Sequence, residues 1–199
     1  MSLMQQPVKN DSIIRYKKKA DDNTARWWAM SATFNRSLQA KRLLDAMNEE
    51  SFLPMRTEIR TVGRRKIRRM MPAVSNLIFV RSTELNIQKI KDGIDYLQFM
   101  CLRENGRRQR IIVPDKQMDD FRRLMTDQGE ETLIFAPDEE GLENGDKVRI
   151  HGGPFDGVEG TFVKVAGKRR KMVVVTIPTI LSVATLSFTP DMLEKISQG

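Results

Sequence analysis

Cysteine and histidine are almost missing from this 199-residue chain: Cys101 and His151 stand alone and far apart. One cysteine forms no intramolecular disulfide, and the two residues make a weak zinc site and a poor nucleophile–base pair. A small strand residue and a turn residue are the roles expected of them. Long apolar runs are missing too. None approaches the roughly 20 residues that span a bilayer, so no membrane partner is expected. The N-terminus lacks an apolar signal core followed by a small-residue cleavage site, which points to the cytoplasm. No strand–GxxxxGK[ST]–helix is present, and no carboxylate pair stands beside a group that would tune it. No enzyme, catalytic residue, cofactor or metal is therefore expected. Finally, Lys and Arg are absent from residues 126–144, which hold seven Asp and Glu.

The rest of the chain is basic. The net charge of +8 is unevenly placed: +10 over residues 26–125, −7 over 126–144, +3 over 145–199 and +2 over 1–25. A basic body points to a polyanionic partner, nucleic acid being the commonest. The acidic strap is expected to touch the basic body transiently.

Patterning divides the chain at the same places. Residues 1–25 are polar and aperiodic, and read as a disordered lead-in. Residues 26–125 read β-α-β-β-α-β-β-α. RWWAMSATF is a buried strand. Ala40, Leu43, Leu44 and Met47 form one helical face, with Asn35 or Ser37 as cap. FLPMRTEIRTV and KIRRMMPAVSNLIFV are strands about a GRR turn, ending in a central strand at Leu77–Val80. Ile87, Ile90 and Ile94 mark a second helix, with Thr83 or Asn86 as cap. Residues 97–113 read as a hairpin about Asn105-Gly106. Met118, Phe121, Leu124 and Met125 lie along a third helix, capped by Asp115. The expected fold is α+β, an antiparallel sheet flanked by helices. Residues 126–144 read as an acidic linker with one apolar patch, Leu133 to Phe135. Residues 145–199 read as a small all-β barrel, favoured by Val173–Val175 and by the many glycines.

GDKVRIHGGPFDGVEGTFVKV, residues 145–165, resembles the KOW motif of ribosomal and transcription proteins, a small SH3-like barrel. RWWAM, the basic hairpin and P-x-x-x-N-L-I-F-V resemble the N-terminal domain of NusG-type transcription elongation factors. The order, N-terminal domain then linker then KOW, is the same, and the resemblance covers residues 26–196. PAVSNLIFV is closer to the specialised RfaH and UpxY-type paralogues than to housekeeping NusG. The resemblance implies a factor that binds elongating RNA polymerase and suppresses pausing or termination on selected operons, such as those for surface polysaccharide. A KOW-type RNA-binding protein of ribosome assembly is the alternative.

The resemblance also implies roles for residues. Val74, Leu77 and Phe79 match the apolar patch that docks on the polymerase clamp coiled coil, with Trp28 bordering it. Leu77 stands where family members usually carry tyrosine. Arg64, Arg65, Lys66, Arg68 and Arg69 match the hairpin tip that faces upstream or non-template DNA, where cations suit phosphate. Arg107 and Arg108, with Arg110, form a second candidate. Leu43 and Ala46 replace the polar base readers of RfaH-like factors, leaving Arg36, Lys41 and Arg42 as substitutes. The barrel recruits Rho or a small ribosomal protein in the family, and Phe155, Ile177 and Ile180 are the matching positions here. Ile177-Pro178-Thr179-Ile180 replaces the usual Phe-Gly-Arg loop, which argues against Rho and for an antiterminator. Lys168–Lys171 is expected to be a solvated turn.

Overall fold

The computed structural model describes residues 23–104, 106–126, 132–135, 145–164, 171–177, 180–185 and 190–196. The lead-in over 1–22, most of the acidic strap, Asn105, the turn residues Lys168–Arg170 and the loop residues Pro178–Thr179 lie outside them.

Strand β1 (Arg26–Ala32) is central to the first sheet, and helix α1 (Ser37–Ala46) follows it. Next come β2 (Ser51–Phe52), the ribbon β3 (Met55–Val62) and β4 (Arg65–Pro72), then β5 (Leu77–Ser82). Leu53-Pro54 breaks what reads as one strand into two, because β2 pairs with β5 while β3 pairs with β4. Helix α2 (Glu84–Gly93) follows, then β6 (Leu97–Phe99), the ribbon β7 (Cys101–Glu104) and β8 (Arg107–Arg110), β9 (Ile112–Val113) and helix α3 (Asp115–Thr126). The first sheet runs β2-β5-β1-β6, with β9 also on β1, and all its pairings are antiparallel.

Alternation along β1 and β5 sends side chains to two faces. Trp28, Met30, Ile78 and Val80 pack with Ala40 and Leu44 of α1 and Ile87 and Ile90 of α2. Trp27, Ala29, Leu77 and Phe79 pack with Met118, Phe121, Leu124 and Met125 of α3. Both faces are therefore covered. The buried stripe of α1 is Ser37, Ala40 and Leu44, whereas Leu43 and Met47, expected on it, are exposed. Arg36 stands at the α1 N-cap without a side-chain cap bond, so neither Asn35 nor Ser37 caps it. Thr83 does cap α2, its hydroxyl accepting from the Asn86 amide. Asp115 is the first residue of α3 rather than its cap.

The second sheet is antiparallel and ordered β10 (Thr132–Phe135), β14 (Leu181–Thr185), β13 (Lys171–Ile177), β12 (Glu159–Lys164), β11 (Asp146–Ile150), β15 (Leu193–Lys195). The apolar patch of the expected linker is thus a strand of this sheet, held to β14 over four residue pairs. Among the described residues no pairing closes β15 onto β10. Gly160 is required by close packing: a Cβ there would stand 2.7 Å from both the Val173 Cγ1 and the Val174 carbonyl oxygen.

The core of the second sheet is continuous with the α3 face of the first. Val148, Ile150, Phe155, Val173, Val175 and Ile177 belong to the same cluster as Phe79 and Phe121.

Candidate docking and nucleic-acid surfaces

The apolar patch expected for docking is not a surface. Leu77 is 1% exposed and Phe79 0%. The Phe121 ring lies edge-on to Phe79, centroids 6.0 Å apart, and to Phe52, 6.2 Å apart. Uncovering Leu77 and Phe79 would cost roughly 3–6 kcal/mol, a large share of the roughly 5–15 kcal/mol that stabilises a domain. Val74, half-buried against the same cluster, is the one member that reaches solvent. Trp28, expected beside the patch, lies on the opposite face, where its Nε1 donates to the Ser82 carbonyl at 2.8 Å. Trp27, not Trp28, lies on the patch's own face, where it is 2% exposed. The Arg122 guanidinium lies 5.3 Å from the Trp27 ring and 5.7 Å from that of Phe52, so a cation stands at the rim.

The basic residues of the first hairpin are exposed. Gly63 and Arg64 turn the β3–β4 ribbon, and Gly63 has φ +61, the left-handed conformation a tight hairpin turn needs. Arg65, Lys66, Arg68 and Arg69 follow on β4, all exposed. Arg56 and Arg60 on β3 extend the same charge, a contribution visible in the sequence only once the strands are set in register. The ribbon holds seven Lys/Arg against one acid, Glu58.

The second hairpin divides its arginines. Arg107 and Arg108 are exposed at its end. Arg110 is engaged inward: its guanidinium stacks 3.9 Å over the Phe99 ring and donates to Gln88 Oε1 at 3.0 Å, with Glu84 3.7 Å away.

At the start of α1, Arg36 lies between two rings, 5.5 Å from Phe34 and 5.0 Å from Tyr96, and Lys41 pairs with Asp45. Phe34, read from the sequence as the end of a strand, turns outward at φ +59 and is 81% exposed. Nothing in its local pattern distinguishes it from a buried aromatic.

The residues expected to hold a partner of the second unit are also interior. Phe155, Ile177 and Ile180 are each 1% exposed. Helix α3 lies against this unit. Gln117 Nε2 donates to the Thr176 carbonyl at 2.7 Å, and Lys116 Nζ to that of Gly157 at 2.8 Å. Arg123 donates to the carbonyls of Asp156 and Pro154 at 2.6 and 2.9 Å.

His151 pairs with Glu194 at 2.7 Å, and Cys101 is a half-buried free thiol. Among the described residues no three His, Cys, Asp or Glu are grouped to hold a metal ion, and no helix is long and apolar enough to cross a membrane.

Residues 25–122 match the NusG family, described as transcription termination factor nusG. No curated protein matches the chain. In three dimensions it is similar to a solved structure described as "Domain interaction in Thermotoga maritima NusG", with a TM-score of 0.43 and 20% identity, over 87% of this chain and 98% of that chain.

Proposed function

We propose that this protein is a NusG-type transcription elongation factor that acts by binding RNA polymerase, without catalysis of its own, in the cytoplasm. The observation that carries the reading is the family match over residues 25–122, the stretch that builds the first sheet and most of its helices. Docking is assigned to the rim of the sheet face that α3 covers. Leu77 and Phe79, buried under α3, support that rim from within, and half-buried Val74 with Arg122, whose guanidinium lies beside the Trp27 ring, meets the clamp coiled coil. An apolar anchor held at the end of a rigid strand suits a helical partner.

The β3–β4 ribbon and the Arg107–Arg108 tip are assigned to upstream or non-template DNA. Residues 145–196 are assigned to a KOW-type unit, and its glycine-bearing strands support that assignment. Antitermination on selected operons, such as those for surface polysaccharide, rests on PAVSNLIFV and on Ile177–Ile180 standing where Phe-Gly-Arg is usual.

Calorimetric titration of the full chain with the isolated clamp coiled coil of its cognate polymerase tests the reading. Micromolar binding that Val74→Glu weakens at least tenfold supports it. Silence of the full chain, with tight binding to ribosomal RNA instead, would replace it by the ribosome-assembly reading.

A further inference from the structure

The β3–β4 ribbon carries two kinds of side chain that a merely solvated hairpin has no use for together. Its cations are one kind. Its large apolar residues are the other: Ile59, Val62, Ile67 and Met70 are between 49% and 61% exposed. The register sorts them. Paired residues share a face, and successive pairs alternate. One face presents Arg56, Arg60, Arg65 and Arg69 with Val62 and Ile67 set among them. The opposite face presents Lys66 and Arg68 with Ile59, Met70 and two threonines. All four arginines of the first face are guanidinium groups, which can form the paired donors that read a guanine edge, and its aliphatic residues can meet thymine methyls.

We propose that this ribbon enters the major groove of B-form duplex DNA with the Arg56–Arg60–Arg65–Arg69 face toward the base edges. The proposal rests on the reading of the hairpin as a nucleic-acid surface and adds which nucleic acid and which face. Dimensions agree. Eight paired residues span about 27 Å, and the two strands lie about 4.8 Å apart. A two-stranded ribbon fits a groove roughly 12 Å wide and 8.5 Å deep. The major groove of duplex RNA is too narrow and deep for side chains to read, so RNA is the poorer fit. Glu58 shares the arginine face, 2.8 Å from the Arg60 Nε. It does not oppose the placement, because a carboxylate in that groove accepts from the cytosine amino group. Lys66 and Arg68, on the outer face, are left to the phosphate walls.

Two double variants separate groove insertion from charge alone. Arg65→Ala/Arg69→Ala and Lys66→Ala/Arg68→Ala each remove two cations from β4, but from opposite faces. Binding of the full-length protein is measured by fluorescence anisotropy on a mixed-sequence DNA duplex, the matching single strand and an RNA duplex, at low salt. Methyl green competes for the major groove and distamycin for the minor groove.

Groove insertion predicts preference for the DNA duplex, displacement by methyl green and not by distamycin, and unequal losses. The arginine-face variant then falls by roughly tenfold or more, the other by only a few-fold. Equal losses, displacement by distamycin alone, or tighter binding to single strand or RNA would overturn the groove assignment and leave the hairpin as a phosphate-binding surface. Absence of binding to every nucleic acid would overturn the nucleic-acid reading of the hairpin as well. The polymerase titration is independent of all three outcomes. Circular dichroism checks that both variants stay folded.

Discussion

Asp120 of α3 accepts the backbone N–H of Glu159 at 3.2 Å, so a carboxylate in the first unit completes the hydrogen bonding of a strand in the second. Asp120 is 3% exposed and also receives Lys116 Nζ on both oxygens. The same ammonium reaches the Gly157 carbonyl.

Replacing this carboxylate should loosen the contact between α3 and the second sheet. Asp120→Ala leaves the Glu159 amide without its acceptor, while Lys116, more than half exposed, can rehydrate. The expected loss is therefore about 1–3 kcal/mol, less than the 3–5 kcal/mol of a fully buried pair left half empty. Asp120→Asn keeps the acceptor and should recover part of the loss. Urea unfolding of the full chain measures both, and an Asp120→Ala midpoint equal to wild type would refute the tie.

Leu77 and Val74 should separate folding from docking. Leu77→Glu puts a carboxylate into the core that α3 covers, and a loss of about 4 kcal/mol or more, or outright unfolding, is expected. Val74→Glu sits at the half-buried rim and should cost no more than about 1 kcal/mol. Thermal melts followed by circular dichroism decide. A wild-type melt for Leu77→Glu would mean that α3 does not cover this face.

Most of the first unit is legible in its periodicity. Ile87, Ile90 and Ile94 give α2, and Met118, Phe121 and Leu124 give α3, because a stripe at helical spacing needs one partner surface. What periodicity cannot say is which surface that is. Leu77 and Phe79 look the same in sequence whether they face a partner protein or α3, and only the structure shows that they are core. Trp27 and Trp28 show the same limit: alternation puts them on opposite faces without naming the faces. The charged ribbon was readable at Arg64–Arg69, where the cations run together. Arg56 and Arg60 lie too far away in sequence to join that run, and only the strand register brings them across. Leu133–Phe135 is legible as an apolar patch but not as a strand, since its pairing with β14 depends on backbone as much as on composition.

Gly160 should resist the smallest enlargement. In Gly160→Ala the added methyl would lie 2.7 Å from the Val173 Cγ1 and from the Val174 carbonyl oxygen, and 3.1 Å from that carbonyl carbon. The side chain can rotate away, but the backbone of β13 cannot move without disturbing its pairing on both edges. Destabilisation of about 1–3 kcal/mol is expected. Gly157, whose Cβ would meet open space but whose φ is +78, should be destabilised through backbone strain alone. Denaturant unfolding of the two alanine variants tests the pair, and an unchanged Gly160→Ala midpoint would show that the second sheet is looser than its packing implies.

Asp92 should titrate below the ordinary aspartate value of 3.8 although it sits at the C-terminal end of α2, where the helix dipole disfavours a carboxylate. Gln88 lowers it most, donating Nε2 to both oxygens at 3.1 Å, and Lys91 adds a further bond and its charge. Arg110 fixes the direction of that amide by occupying Gln88 Oε1. A depressed folded value means that the contribution to stability is present above the unfolded value and is lost as pH falls through the folded one. Gln88→Ala should move the Asp92 titration upward toward 3.8, and Arg110→Ala should do so by less, through a freed amide. The variant should then lose less stability on acidification than the wild type does, because it has less of this contribution to lose. NMR titration of the Asp92 carboxyl carbon reads the shift directly, and a wild-type midpoint at or above 3.8 would remove the basis for the Arg110–Gln88–Asp92 chain.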